Sequence, residues 1–225
     1  MPEEAASPTV NAPAAAPETP QALAPAEAGE PAERLDAVIP RRDRPVQPVI
    51  GLGGSAGSLN ALRAFFAAMP ADSGLAFAVV VHLLPDRESN LAALLQPVTA
   101  MPVVQVREAV RVEPNRVYVI PPAKQLSLAA GQLRLSNLEA ERDRRAAVDL
   151  FFRTLADTIG PQGTAIVLSG ADGDGAIGLK RVKERGGLTI AQEPGEAEQD
   201  GMPRAAIATG MVDWVLPVEI GRAHV

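Results

Sequence analysis

From Val46 onward, short apolar runs alternate with segments whose apolar residues recur every three or four positions. Val49 to Gly53 and Ala76 to His82 are continuous apolar runs, which predicts two buried strands. Between them Leu59, Leu62, Phe66 and Met69 keep helical spacing. Leu91 to Leu95 predicts a short helix, and Val103 to Val106 a third strand. Arg116 to Ile120 and Gln125 to Leu135 break this rhythm. Leu126, Leu128, Leu133 and Leu135 alternate about Gly131, an antiparallel hairpin signal. The helical period returns at Val148, Phe151, Leu155 and Ile159. Thr164 to Ser169 then reads as a strand, Ala176 to Arg185 as a helix stopped by Gly186-Gly187, and Leu188 to Gln192 as a strand. Pro203 to Thr209 reads as a helix ended by Gly210, and Asp213 to Leu216 as a last strand. Strands alternating with helices predict an α/β fold: a doubly wound, mainly parallel sheet with an antiparallel hairpin, in three α/β/α layers.

The pattern fails before residue 46. Nine of the 21 prolines lie there, with alanine and glutamate filling most of the gaps. Such a segment buries too little apolar surface to offset its ordering entropy. The expected organisation is a disordered Pro/Ala-rich tail over 1–46, one catalytic domain over 47–218, and a separate end over 219–225. That end, EIGRAHV, matches the conceptual translation of a sequencing adapter. It is expected to be non-native, His224 with it, and a further domain is expected to be missing downstream.

Composition narrows the chemistry. Hydrophobic residues make up 47%, enough for a sizeable core. A formal charge of -6 with 1 Trp, 1 Tyr and 5 Phe argues against nucleic acid, which wants basic patches and stacking rings. With Cys 0, disulfides, thiolate metal sites and thiol catalysis are excluded. With His 2, a histidine-rich metal centre is not expected, and no metal or cofactor is assigned. The N-terminus MPEEAASPTV is acidic and has no apolar signal region, and Leu75 to Val81 is far short of a membrane span. These features predict a cytoplasmic protein without direct membrane insertion.

In an open α/β sheet, ligands bind beyond the carboxyl ends of the strands. Reactive side chains there fall into three groups. Gly51 to Ser58 (GLGGSAGS) contains G-x-S-x-G at Gly53, Ser55 and Gly57, a tight turn that can expose the serine hydroxyl at a helix start. The same stretch fits the dinucleotide pattern G-x-G-x-x-A at Gly51, Gly53 and Ala56. His82 follows the second strand, where a nicotinamide fold wants an acidic ribose ligand. It is either a core histidine or a base. Ser169 to Ala176 (SGADGDGA) carries Asp172 and Asp174. It reads as a plain turn, a cation loop lacking the bidentate glutamate, or a source of one carboxylate that orients an imidazole. A serine nucleophile needs a base, and the base needs an acceptor that fixes its tautomer. Ser55, His82 and Asp174 supply these roles at one sheet edge. Their chain order differs from the Ser–Asp–His order of the α/β-hydrolases.

The succession Val49 to Gly57, Val81-His82 followed by Pro85, Arg116 to Pro122, Ala147 to Phe152, Ser169 to Ala176, Ala191-Gln192 and Asp200 to Arg204 resembles the catalytic domain of the bacterial chemotaxis protein-glutamate methylesterases (CheB type). The resemblance implies hydrolysis of glutamate methyl esters on chemoreceptor cytoplasmic helices, and glutamine deamidation in many members. It implies Ser55 as nucleophile, His82 as general base and acid, and Asp174 as orienting carboxylate. Backbone N–H groups near Ala56 and Ala171 become oxyanion donors, and Arg204 a substrate carboxylate ligand or an ion-pair partner. Gly54, Ser58 and Ala171 depart from the usual family residues. A Pro/Ala tail is expected ahead of the domain where the stand-alone enzymes carry a receiver domain, which resembles the fused methylesterase–methyltransferase proteins and implies a methyltransferase part downstream. Asp149 reads as a helix-start carboxylate, Asp172 as a solvated turn residue, and Trp214 and Tyr118 as core or sheet packing. The leading expectation is a serine esterase. The alternatives are a catalytically impaired receptor- or partner-binding module of this fold, and a dinucleotide-dependent oxidoreductase.

Overall fold

In the computed structural model, which describes residues 46–82, 90–138 and 146–218, the expected alternation is present. It begins with β1 (Val49–Gly54), α1 (Ser58–Ala68), β2 (Ala76–Val81), α2 (Leu91–Leu95), β3 (Val103–Gln105), β4 (Val110–Arg111) and β5 (Arg116–Val119). It continues with β6 (Lys124–Ala129), β7 (Gln132–Asn137), α3 (Ala147–Ile159), β8 (Gly163–Val167), α4 (Ala176–Glu184), β9 (Leu188–Gln192), α5 (Gly201–Ala208) and β10 (Trp214–Leu216). The tail expected over 1–46, save Val46, lies outside the described residues. So do Pro85, His224 and the rest of 219–225.

Seven strands form one sheet in the order β10-β9-β8-β1-β2-β5-β3, and every pairing in it is parallel. From β1 the chain first builds outward through β2 and β5, then returns to add β8 on the other side of β1. The sheet therefore has its topological switch between β1 and β8, where a ligand crevice is expected.

Residue size alternates along β1 and β2 and decides how the layers close. Ile50, Leu52, Phe77, Val79 and Val81 face α1 and α2 in one apolar cluster. Val49, Ala76, Ala78 and Val80 face the α3 side, where Phe151, Phe152 and Leu155 pack. A Cβ on Gly53 would stand 2.2 Å from Val148 Cγ1, and one on Gly51 2.9 Å from Phe152 Cε1. Small residues on this face let α3 lie close to the sheet, and that brings its first turn to the carboxyl end of β1. The G-x-G-x-x-A match at Gly51, Gly53 and Ala56 therefore has a helix-packing cause, without any dinucleotide.

The hairpin is β6–β7, antiparallel, joined by β4 in a small second sheet. Arg116–Val119 does not share it. β5 runs parallel between β2 and β3 in the main sheet. The reason is burial: Val117, Tyr118 and Val119 are all buried, as suits a strand covered on both faces, whereas β6 and β7 are buried on one face. Tyr118 is core, as expected; its hydroxyl donates to Arg111 O at 3.2 Å and accepts from Glu113 N–H at 3.0 Å. Trp214 is not. It sits on edge strand β10, 43% exposed, beside an apolar groove formed by the α1-side face of β8, β9 and β10. No described helix is long and apolar enough to cross a membrane.

Gly53→Ala is expected to destabilise the domain by about 1–3 kcal/mol through overpacking against Val148. The same change made in a Val148→Ala background should cost less, because the clashing methyl is gone. Urea denaturation of both singles and the double measures this; equal costs in the two backgrounds would refute close α3 packing as the constraint.

Candidate active site

The turn after β1 is built by its neighbours. Gly57 holds φ +78, a left-handed conformation that favours glycine, immediately before α1. Ser58 opens the helix with its N–H and its hydroxyl both donating to Ser55 O, at 3.1 Å and 2.7 Å. That second bond gives Ser58, a departure from the family pattern, a structural role. On the far side, Ser55 N–H donates to Ser169 O at 2.9 Å, and Ser169 Oγ donates to Ala56 O at 3.0 Å while accepting Gln199 N–H at 2.9 Å. Ser169 is fully buried, and its own N–H donates to Gln192 Oε1 at 2.8 Å. The loop after β8 thus clamps the Ser55 turn. Ser169 and Gln192 have no task visible in their sequence motifs; the signal they carry is a polar residue closing each of two apolar runs.

Across the switch point, Asp174 is the anchor. Its carboxylate accepts Val148 N–H at 2.8 Å, Asp149 N–H at 2.9 Å and Gly175 N–H at 2.8 Å. The residue before α3, Ala146, offers no side-chain cap, so Asp174 caps α3 from another loop. Asp149 returns the arrangement, with its Oδ1 accepting Gly178 N–H in the first turn of α4 at 2.6 Å. Burial pushes the Asp149 carboxyl above its usual range, against the pull of Gly178 N–H. The helix-start role read for Asp149 therefore extends to a second helix.

His82 leaves the end of β2 and bonds Asp174 through Nε2, 2.7 Å from Oδ2. Its backbone N–H donates to Gly54 O at 3.3 Å, which ties it to the strand that ends at the Ser55 turn. Its other ring nitrogen, Nδ1, lies 3.2 Å from Asp172 Oδ2. Burial lowers the imidazole pKa, but the hydrogen bond and charge of Asp174, then the charge and hydrogen bond of Asp172, more than offset it, and the pKa is raised above 6.5. Asp172 is therefore more than the solvated turn residue that its pattern suggests.

The structure brings His82 and Asp174 into contact as expected. Ser55, half-buried, stands on the adjoining strand end, and its Oγ has no hydrogen-bond partner among the described residues. Gly170 separates it from α5: a Cβ there would stand 2.0 Å from Met202 Sδ and 3.1 Å from Ser55 Cβ. Ala56 and Ala171 are exposed, one on each loop flanking the crevice, where a backbone N–H can meet an oxyanion. Arg204 is 67% exposed and pairs with Asp200 through Nε at 2.5 Å, the ion-pair alternative of its two readings. A small cavity of about 60 Å³ beside the imidazole is lined by His82, Ile120, Pro121, Lys124 and Ala147 among others.

Comparison with known proteins agrees with this architecture. The family model described as CheB methylesterase matches residues 50–223. A putative protein-glutamate methylesterase/protein-glutamine glutaminase of Leptospira interrogans is 31% identical over 171 residues, 76% of this chain and 89% of the relative. A protein-glutamate methylesterase/protein-glutamine glutaminase of Anaeromyxobacter dehalogenans is 35% identical over 192 residues, 85% of this chain and 56% of the relative. A 104.1 kDa protein of Rhodobacter capsulatus is 42% identical over 132 residues, 57% of this chain but 13% of the relative. The crystal structure of the Thermotoga maritima CheB methylesterase catalytic domain superposes with a TM-score of 0.72 at 26% identity, covering 78% of this chain and 95% of that one.

Ser169→Ala removes a buried hydroxyl that serves both Ala56 O and Gln199 N–H. Stability should fall by about 1–3 kcal/mol, the cost of leaving buried groups unpaired. Covalent labelling of Ser55 by a fluorophosphonate should slow in the same variant, because the nucleophile turn loses its clamp. Denaturation and labelling kinetics check the two effects; unchanged labelling would show that the clamp does not position Ser55.

Proposed function

The chain belongs to the CheB methylesterase family, and on that premise we propose that it is a serine hydrolase removing methyl esters from glutamate side chains of chemoreceptors. Deamidation of receptor glutamines by the same route is part of the reading. The observation that carries it is His82 Nε2 held by the buried Asp174 carboxylate at 2.7 Å, at the switch point that also bears Ser55.

With Nε2 engaged, Nδ1 is the nitrogen left to serve Ser55. In its neutral form it takes the hydroxyl proton as Oγ attacks the ester carbonyl carbon. The oxyanion that forms is met by the Ala56 and Ala171 N–H groups. Collapse breaks the carbon–methoxy bond, and His82 gives its proton to the leaving oxygen, releasing methanol. Water then attacks the acyl-enzyme, passing a proton to His82 and on to Ser55 Oγ, and the glutamate carboxylate departs. Asp174 fixes the ring and stabilises the imidazolium at each stage. No cofactor enters these steps. The substrates are exposed side chains on receptor cytoplasmic helices, which places the enzyme in the cytoplasm. A methyltransferase part downstream belongs to the same proposal.

A second reading, a receptor- or partner-binding module of this fold with impaired turnover, has one observation in its favour. Ser55 Oγ is unpaired among the described residues, while His82 Nδ1 faces Asp172.

Methanol release from a methylated receptor cytoplasmic fragment tests the proposal. Ser55→Ala and His82→Ala should each lower kcat by about 10⁴-fold or more. Because the base must be neutral and its pKa is raised, kcat/KM should climb with pH through a midpoint above 6.5. Wild-type protein that releases no methanol, with Ser55 unlabelled by fluorophosphonate, would favour the binding module.

A further inference from the structure

His82 is held between two carboxylates of unequal freedom. Asp174 has a fully buried side chain and backbone partners on both oxygens. Asp172 is 46% exposed. Its Oδ1 accepts Asp174 N–H at 3.1 Å, a turn that aims Oδ2 at the ring. Only the imidazolium donates from both nitrogens at once. With Nε2 2.7 Å from Asp174 and Nδ1 3.2 Å from Asp172, a protonated ring can satisfy both carboxylates, and in that form it has no lone pair for a hydroxyl proton.

We propose that Asp172 is a positioning residue that competes with the Ser55 hydroxyl for His82 Nδ1, and so sets the pH at which the nucleophile becomes competent. The proposal rests on the serine-hydrolase reading. At low pH the carboxylate keeps the ring protonated and turned from Ser55. As pH rises the ring loses the Nδ1 proton, the attraction to Asp172 lapses, and Nδ1 is released to the hydroxyl. After proton transfer from Ser55 the imidazolium can pair with Asp172 again. Among the described residues, the other charged groups packed toward the ring do not take this place. Asp149 of α3 is committed to Gly178 N–H, and Lys124 of β6 bonds Asn137 Oδ1 at 2.6 Å.

The test compares wild type with Asp172→Asn, which keeps the carbonyl that accepts Asp174 N–H, and with Asp172→Ser, which keeps a short acceptor. Two-dimensional NMR follows the imidazole through a pH titration; the signal absent from His82→Ala is assigned to His82. Its pKa should fall by about 0.5–1 unit in both variants, since a half-exposed carboxylate is lost. The rate of Ser55 labelling by a fluorophosphonate, and kcat/KM for methanol release, should then rise about three- to tenfold at pH well below the midpoint and show no gain at pH 8.5. An unchanged or higher His82 pKa in both variants overturns the proposal. So does a rate change of equal size at every pH, which is what a merely structural role produces. A shifted pKa and labelling profile without methanol release from any variant would sink the methylesterase assignment and leave the competition for Nδ1 standing.

Discussion

The buried Asp174 carboxylate is the interaction on which the site depends. A charge out of water is tolerated only when its lone pairs are filled. Here they are filled by three backbone N–H groups and one imidazole. Two of those N–H groups are the unpaired first-turn donors of α3, whose positive dipole end also favours the anion. The same contact therefore caps a helix, neutralises a buried charge and orients the His82 imidazole. Losing the carboxylate would leave both the helix end and His82 Nε2 without a partner.

That contact exists only because α3 reaches the end of the sheet. Gly51 and Gly53 lower the surface of β1 under Phe151, Phe152 and Val148, and the helix settles where a side chain would have held it off. Asp149, in the first turn of α3, then caps α4, while Asp174, just before α4, caps α3. Two helices on one face of the sheet are locked by exchanged carboxylates. The loop between β8 and α4 is accordingly held at both ends, by Ser169 toward β1 and by Asp174 toward α3.

Much of this was legible in the chain. Strand and helix positions followed from period, since long amphipathic helices and strands buried on both faces leave different spacings. Ser55, His82 and Asp174 were legible because each follows a strand in a fold whose ligands gather there. Three kinds of feature were not. β5 was drawn toward the hairpin because a run such as RVYV states its burial but not its partner, and pairing depends on which distant strand is free. β4, two residues long, is too short to show any period. Asp172, Ser169 and Gln192 were passed over because their roles depend on contacts between loops far apart in sequence.

Asp172 also changes how the base should be regarded. A carboxylate beside an imidazole strengthens it as a proton acceptor and, by the same free energy, makes its neutral form scarcer. A single buried carboxylate fixes that balance permanently. A second, exposed one makes it depend on pH and on whatever displaces the aspartate, because water can solvate a half-exposed carboxylate as it leaves.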